Sequence, residues 1–293
     1  MTAPDLTARA PQVLSVQSAV AYGHVGNSAA VFPLQRLGFE VWPVHTVNFS
    51  NHTGYQAWRG PVLPAADVAS VVQGVAERGV LGDVDAVLSG YQGAQEIGAV
   101  VLDAVAQVKA ANPRAIYCAD PVMGDYGRGV YVREGIPELM RDLVVPAADV
   151  TTPNQFELEH LTGRSVRTMD DLLAAVEVLR SWGPRTVLVT SVDLPDHPGD
   201  ELSMVAVSEG GAWVVTTPRL ELAVTAGTGD TTAAIFLAHL LRDGDLPLAL
   251  SRTASSIFGI LELTARTGAR EIELVRGQDL IASPPDRFEA VAL

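Results

Sequence analysis

The stretch AGTGDTTAA, residues 226–234, combines the residue types that phosphoryl chemistry needs. Gly227 and Gly229 let the backbone turn sharply and leave its N–H groups uncovered, and the helical pattern that follows adds its positive N-terminal end. Such a turn is an anion hole suited to charge developing on a phosphoryl group in transit. Asp230, in the first turn, has two open roles. It could take a proton from an attacking hydroxyl, or it could cap the helix, where Asp is favoured.

Two further stretches carry acids at the ends of apolar runs. In CADPVMGDYGRG (118–129), Asp120 precedes Pro121 and a glycine-rich loop. It could hold a cation or water around phosphate oxygens, with Asp125 as a second candidate, or the pair Asp-Pro could simply make a turn. In TTPNQFELEHLTG (151–163), Pro153 ends a strand, Asn154 can cap a helix and Glu157 sits three residues on. That spacing fits a capping box, and equally a carboxylate holding Mg²⁺ through water. The histidines form no i, i+4 pair and no serine sits in a G-x-S-x-G elbow, so neither a zincin site nor a hydrolytic triad is supported.

The elements that must position these residues follow from periodicity. Short apolar runs at 13–18, 41–47, 86–90, 115–119, 149–153 and 186–191 read as strands, several apolar throughout, as buried parallel strands are. Helical patterns at 27–37, 65–78, 94–111, 134–144, 154–162 and 169–182 lie between them. The alternation predicts a doubly wound α/β fold, a mostly parallel central sheet with helices on both faces. Near residue 200 the pattern changes to a hairpin over 202–218, a small β extension, and then to long helices over 228–244 and 246–268. Residues 1–11 read as a loose tail and 12–293 as a single domain, since no linker divides them. Ligands of such sheets bind at the carboxyl ends of the strands, which singles out Ser18, Asp120, Asn154, Glu157, Thr190 and Ser191.

Composition removes other classes. The 293 residues carry a net charge of −14, which argues against a general nucleic-acid or anionic-membrane binder. Lys109 is the one lysine beside 19 arginines, and it is far from any glycine loop. A P-loop of the G-x-x-x-x-G-K-[ST] type, or an enzyme holding pyridoxal phosphate as a Schiff base, is therefore disfavoured. The single cysteine, Cys118, leaves no internal disulfide and no cysteine-based zinc site, which fits a reducing, cytoplasmic setting. No secretory leader and no run approaching the ~20 apolar residues of a membrane span is present.

Taken together, these stretches resemble the ribokinase superfamily and, within it, the pyridoxal kinases. VQSAVAYGHVGNSAAVFPLQRLGFEVWPVHTVNFSNHTGY (16–55) is similar to the segment that lines that family's vitamin pocket. DPVMGD (120–125), TPNQFELE (152–159), VTSVDLP (189–195) and GTGD (227–230) follow in the family's order and spacing. The resemblance implies ATP-dependent phosphorylation of the 5′-hydroxymethyl group of pyridoxal in B6 salvage, with Asp230 as general base. The amides of Gly227, Thr228 and Gly229 would form the anion hole. Ser18 would bond the pyridine ring, with Val47, Phe49, Thr53 and Tyr91 shaping the pocket. Asp120, Thr152, Glu157 and Thr190 would arrange the ATP phosphates, Mg²⁺ and a monovalent cation such as K⁺. Asn154, Ser191 and Thr228 belong to the same ATP-binding set, while Tyr131 and the segment Pro218, Arg219, Leu220 would cover the nucleotide. With so little lysine, Arg128 or Arg219 would help neutralise the triphosphate. A homodimer is implied as well.

Four features depart from the family pattern: Ala19 after Ser18, Asn48, Thr190 where some bacterial members have lysine, and a short stretch between Pro218 and Gly227. They bear on vitamer preference and efficiency. The alternatives are a hydroxymethylpyrimidine kinase and a B6-binding protein with weak turnover. The FSNHT segment favours the B6 vitamer, because it belongs to the vitamin pocket.

Overall fold

The computed structural model describes residues 9–195, 198–222 and 226–293. Strand and helix alternate through β1 (Gln12–Val20), α1 (Asn27–Arg36), β2 (Glu40–Phe49), α2 (Ala65–Ala76), β3 (Ala86–Ser89), α3 (Gln95–Ala111) and β4 (Ile116–Ala119). A two-stranded ribbon follows, β5 (Gly124–Asp125) with β6 (Gly129–Val130), then α4 (Ile136–Leu139) and α5 (Val145–Ala147). The alternation resumes with β7 (Val150–Thr151), α6 (Gln155–Thr162), α7 (Met169–Trp182) and β8 (Thr186–Val192). The hairpin β9 (Glu201–Ser208) and β10 (Gly211–Pro218) leads to α8 (Thr228–Asp243), α9 (Leu246–Thr267), α10 (Gln278–Ala282) and β11 (Val291–Ala292).

One nine-stranded sheet runs in the order β11-β10-β9-β8-β7-β4-β3-β1-β2. From β2 to β8 all pairings are parallel, and β9, β10 and β11 extend that edge in antiparallel fashion. The expected doubly wound sheet with a β extension is therefore present. Its two faces are separate cores, and the neighbours Val87 and Leu88 show why the central runs are apolar throughout. Val87 belongs to the core that includes Val72 of α2, Val101 of α3 and Val176 of α7, whereas Leu88 belongs to the one that includes Leu34 of α1 and Phe236 of α8. The chain leaves β1 for β2 on one side and returns to β3 on the other, so a crevice opens at the carboxyl ends of these strands.

Two local expectations are revised. The helix expected over 134–144 is broken: α4 and α5 are joined by a π turn at Met140–Val144. Pro146 has no N–H to return to residue 142 and its ring crowds that carbonyl, so the regular ladder cannot pass through. Of the tail expected over 1–11, residues 1–8 lie outside the described residues. Arg9 donates to both carboxylate oxygens of Asp85 at 3.0 Å, and the Pro11 carbonyl accepts from the Glu40 N–H. Among the described residues, no helix is long and apolar enough to cross a membrane.

Candidate active site

Two pockets meet at the carboxyl edge of the sheet, and Gly227 and Asp230 line both. The smaller lies over the ends of β1, β2 and β3 and takes in Ser18, Val47, Phe49, Thr53 and Tyr91, the residues expected around a vitamer. The larger runs past the ends of β4, β7 and β8 toward α9. It takes in Asp120, Thr152, Glu157 and Thr190, and beyond them Pro218, Arg219 and Leu220.

Ser18 reaches the smaller pocket through an irregularity in β1. The β1–β2 register slips between Gln17 and Ala19, and the Asn27 amide sits beside the slip, donating to the carbonyls of Ser15, Gln17 and Val44 at 3.3, 3.3 and 3.0 Å. Gly26 presses on Ser18 so closely that a Cβ there would collide with its Oγ and carbonyl, which explains the glycine and its φ of 52°. Tyr91 is held by its own carbonyl, which accepts from Thr46 Oγ1 at 2.8 Å, and burial raises the pKa of its phenol.

The turn into α8 has Gly227 as its N-cap, in the left-handed region at φ 82°. A Cβ at Gly227 would strike the His24 carbonyl, whereas one at Gly229 would meet nothing, so only the first glycine is imposed by packing. The Gly227 carbonyl already accepts from the Thr231 N–H and hydroxyl. The N–H groups of Gly227, Thr228 and Gly229 have no partner among the described residues and stand at the positive end of a 16-residue helix. Thr228 Oγ1 is likewise buried without a partner among those residues.

Asp230 is not the N-cap, which is Gly227, and among the described residues no side chain caps this helix. Its carboxyl stands in the first turn of the helix and lines both pockets. Burial lifts its carboxyl above the ordinary Asp range, while the N–H groups of Gly26 and of Asp230 itself pull the other way. A raised pKa makes the carboxylate a better proton acceptor.

Glu157, by contrast, performs both of its candidate jobs' first requirement, a fixed position, as a cap. Asn154 Oδ1 accepts from the Glu157 N–H at 2.9 Å and Glu157 Oε2 accepts from the Asn154 N–H at 2.9 Å, a complete capping box. Glu157 Oε1 meanwhile accepts from the Met123 N–H at 2.8 Å, fastening the loop after β4 to α6. Burial raises its pKa to about 7 against these three amide-bearing partners, Asn154, Met123 and Gly124. Asn154 also donates to the Gly124 carbonyl at 2.8 Å, so both ends of its amide are engaged.

Asp120 is buried and accepts from Thr152 Oγ1 at 3.0 Å. Its pKa is raised, first by burial and then by the charges of Glu157 and Asp230. Asp120 is thus repelled by both Glu157 and Asp230, and a bound cation would relieve that repulsion. Among the described residues no group of three or more His, Cys, Asp or Glu is arranged to hold a metal by itself. The donor set of Asp120, Glu157 and threonine hydroxyls fits a hard ion that keeps water or phosphate oxygens as its other ligands.

Of the two arginines expected at the triphosphate, Arg128 lines both pockets, its guanidinium 4.2 Å above the Tyr131 ring and bonded to Asp125. Tyr131 stands with it between the pockets rather than over the larger one alone. Arg219 lines the larger pocket and at the same time pairs with Asp193 at 2.7 Å and donates to the Gly199 carbonyl, fastening the hairpin base. Ser191, at the bulge between β8 and β9, has φ 53°, the one positive φ of a non-glycine among the described residues. The stretch between Pro218 and Gly227 includes residues 223–225, outside the described residues. Sequence reasoning missed the far wall of the larger pocket, where Ala254, Ile257, Phe258 and Leu261 of α9 make an apolar surface. Their helical spacing was legible, but nothing in it separates a ligand-facing apolar side chain from a core one.

The phosphomethylpyrimidine kinase family model matches residues 50–273. The chain is 60% identical over 278 residues to the pyridoxal kinase PdxY of Rubrobacter xylanophilus, covering 94% of this chain and 95% of that one. It is 56% identical over 277 residues to that of Leifsonia xyli, covering 94% and 98%. Among solved structures, the pyridoxal kinase of Leishmania donovani in complex with ADP and pyridoxamine superposes with a TM-score of 0.89 at 31% identity, over 96% of this chain and 99% of that one. An apolar pocket and a phosphate-binding cleft sharing one aspartate and one glycine turn is the arrangement a kinase of a small alcohol requires, and with these likenesses the chain belongs to the pyridoxal kinases of the phosphomethylpyrimidine kinase family.

Proposed function

We propose that the smaller pocket binds a B6 vitamer, the larger binds ATP, and transfer occurs where they join. The observation that carries this is the shared position of Asp230 and Gly227 in both pockets. Asp230 takes the proton of the 5′-hydroxyl, whose oxygen attacks the γ-phosphorus. The bond from the γ-phosphorus to its bridging oxygen breaks, ADP carries the electron pair away, and pyridoxal 5′-phosphate remains. The uncovered amides of Gly227, Thr228 and Gly229 hold the developing charge, and Thr228 Oγ1 is a further donor. Ser18 bonds the vitamer ring while Val47, Phe49, Thr53 and Tyr91 enclose it. Thr152 orients Asp120, and Glu157 fixes the loop between them.

A divalent metal accompanies ATP in such kinases; Mg²⁺, held through Asp120 and water near Glu157, would neutralise the phosphate charge. K⁺ near Thr190, a homodimer of single-domain chains and a cytoplasmic setting complete the reading, supported by the family resemblance. Incubation with MgATP should convert pyridoxal to its 5′-phosphate with stoichiometric ADP. Product from hydroxymethylpyrimidine but not from pyridoxal would overturn the choice of substrate, and vitamer binding without ADP release would overturn the kinase reading.

A further inference from the structure

Glu271 lies beyond α9, 216 residues from Tyr55 in sequence, in a segment to which no role has so far been given. Its carboxylate collects donors from both loops that close the smaller pocket. Tyr55 Oη donates to Oε1 at 2.6 Å, and the His24 N–H donates to Oε2 at 3.1 Å. His52 Nε2 lies 3.3 Å from Oε1, with its ring 4.6 Å from that of Tyr55. The carboxylate is largely covered, its side chain only 11% exposed. Gly23 packs so tightly on it that a Cβ would collide with the carboxylate. The next residue, Ile272, lies beside the Gly227 turn.

What these contacts hold is the wall of the pocket. His24 precedes Val25 and Gly26, the residues against Ser18; His52 precedes Thr53 and Gly54. The β1–β2 pairing runs on past the strand ends, the Ala21 and Tyr22 N–H groups donating to the Phe49 and Ser50 carbonyls at 2.9 Å; beyond Tyr22 and Ser50, Glu271 adds the link between the segments that carry Val25 and Thr53. We propose that Glu271 is a positioning residue for the vitamer: one buried carboxylate ties the loop after β1 to the loop after β2 and so sets the width of the pocket between Ser18 and Thr53. This rests on the reading of the smaller pocket as the vitamer site.

The test is steady-state kinetics on the full-length protein, with pyridoxal and ATP varied separately. Glu271→Ala removes both acceptors and should raise KM for pyridoxal about tenfold, the scale of losing hydrogen bonds to a charged acceptor. KM for ATP should stay within about twofold, because among the described residues none that Glu271 contacts lines the larger pocket. Glu271→Gln keeps one acceptor and should show an intermediate rise, as should Tyr55→Phe; these two carry the test if the alanine variant does not fold. A merely structural role predicts a lower melting temperature with both KM values unchanged or raised together, and either result overturns the proposal. Ser18→Ala is measured in parallel. If it raises KM for pyridoxal and the Glu271 variants do not, the tether is wrong and the pocket stands. If neither moves that KM, the pocket reading itself is wrong and the tether falls with it.

Discussion

The two pockets are built from the same sheet edge by different means. The nucleotide side is assembled from contacts close in sequence or between adjacent strand ends: Asn154 with Glu157, Thr152 with Asp120, Arg128 with Asp125. The vitamer side is held by contacts that cross most of the chain, Tyr55 and His24 to Glu271. The nucleotide side concentrates acids whose pKa values are pushed upward by burial and by one another, and the vitamer side is mainly apolar. The α8 turn belongs to both, with Val122, Arg128 and Tyr131 on the wall between them. A site can therefore fail in three separable ways, at the turn, on one side or on the other.

The turn should give the largest loss. Asp230→Asn keeps the shape of the side chain and removes the proton acceptor, so kcat should fall by roughly 10²–10⁴ while KM for both substrates changes little. Near-normal turnover in that variant would move the general base elsewhere.

How much of this was legible in the sequence follows the same division. Asn154 and Glu157 are three residues apart, so the capping box and its place at a strand end could be read directly, as could the glycine turn before Asp230. Glu271 could not, because a lone Glu in a loop carries no periodicity and its partners are set by the packing of α9 and the sheet. The β5–β6 ribbon escaped for a related reason: two-residue strands are too short to show alternation. Likewise the π turn at Met140–Val144 kept the apolar spacing of a helix while Pro146 broke its hydrogen bonds.

The second effect bears on the shared helix away from both pockets. His239 of α8 is fully buried; Arg242 donates to its Nδ1 at 2.9 Å, and its Nε2 has no partner among the described residues. Burial first, then the Arg242 and Arg252 charges, lower its pKa to about 4, so Asp243 at 3.8 Å faces a neutral ring. A folded pKa below the unfolded value of 6.5 means that only the unfolded chain takes up this proton between those limits. The contribution is complete above pH 6.5 and is lost as pH falls toward 4; from pH 7 to pH 5 it amounts to about 2 kcal/mol. Glu157, Asp120 and Asp230, whose pKa values are raised, contribute with the opposite sign over the same interval, so the reading is a difference: between pH 7 and pH 5 in urea unfolding, the wild-type protein should lose about 2 kcal/mol relative to His239→Gln. An unchanged slope in the variant would assign the acid sensitivity to other groups.

Third comes the nucleotide side alone. Glu157→Gln leaves one carbonyl oxygen where two carboxylate oxygens now accept from Asn154 and Met123. Stability should drop by about 1–2 kcal/mol, and KM for ATP should rise while KM for pyridoxal does not. Equal rises in both would show that the two sides are mechanically coupled, against the division drawn above.

Ser191 should give the smallest effect and settles a point of assignment. It is exposed at the edge of the nucleotide cleft with φ 53°, a conformation that costs an L-residue roughly 1 kcal/mol and a glycine nothing. Ser191→Gly relieves that strain, but the freer unfolded chain offsets most of the gain, so stability should shift by less than about 1 kcal/mol. Because the bulge between Val189 and Val192 is retained, any change in KM for ATP reports the hydroxyl. A several-fold rise at constant stability makes Ser191 a nucleotide ligand. An unchanged KM reduces its role to turning the chain from β8 toward β9, and leaves Thr190, one residue earlier and buried, as the cleft's hydroxyl on that strand.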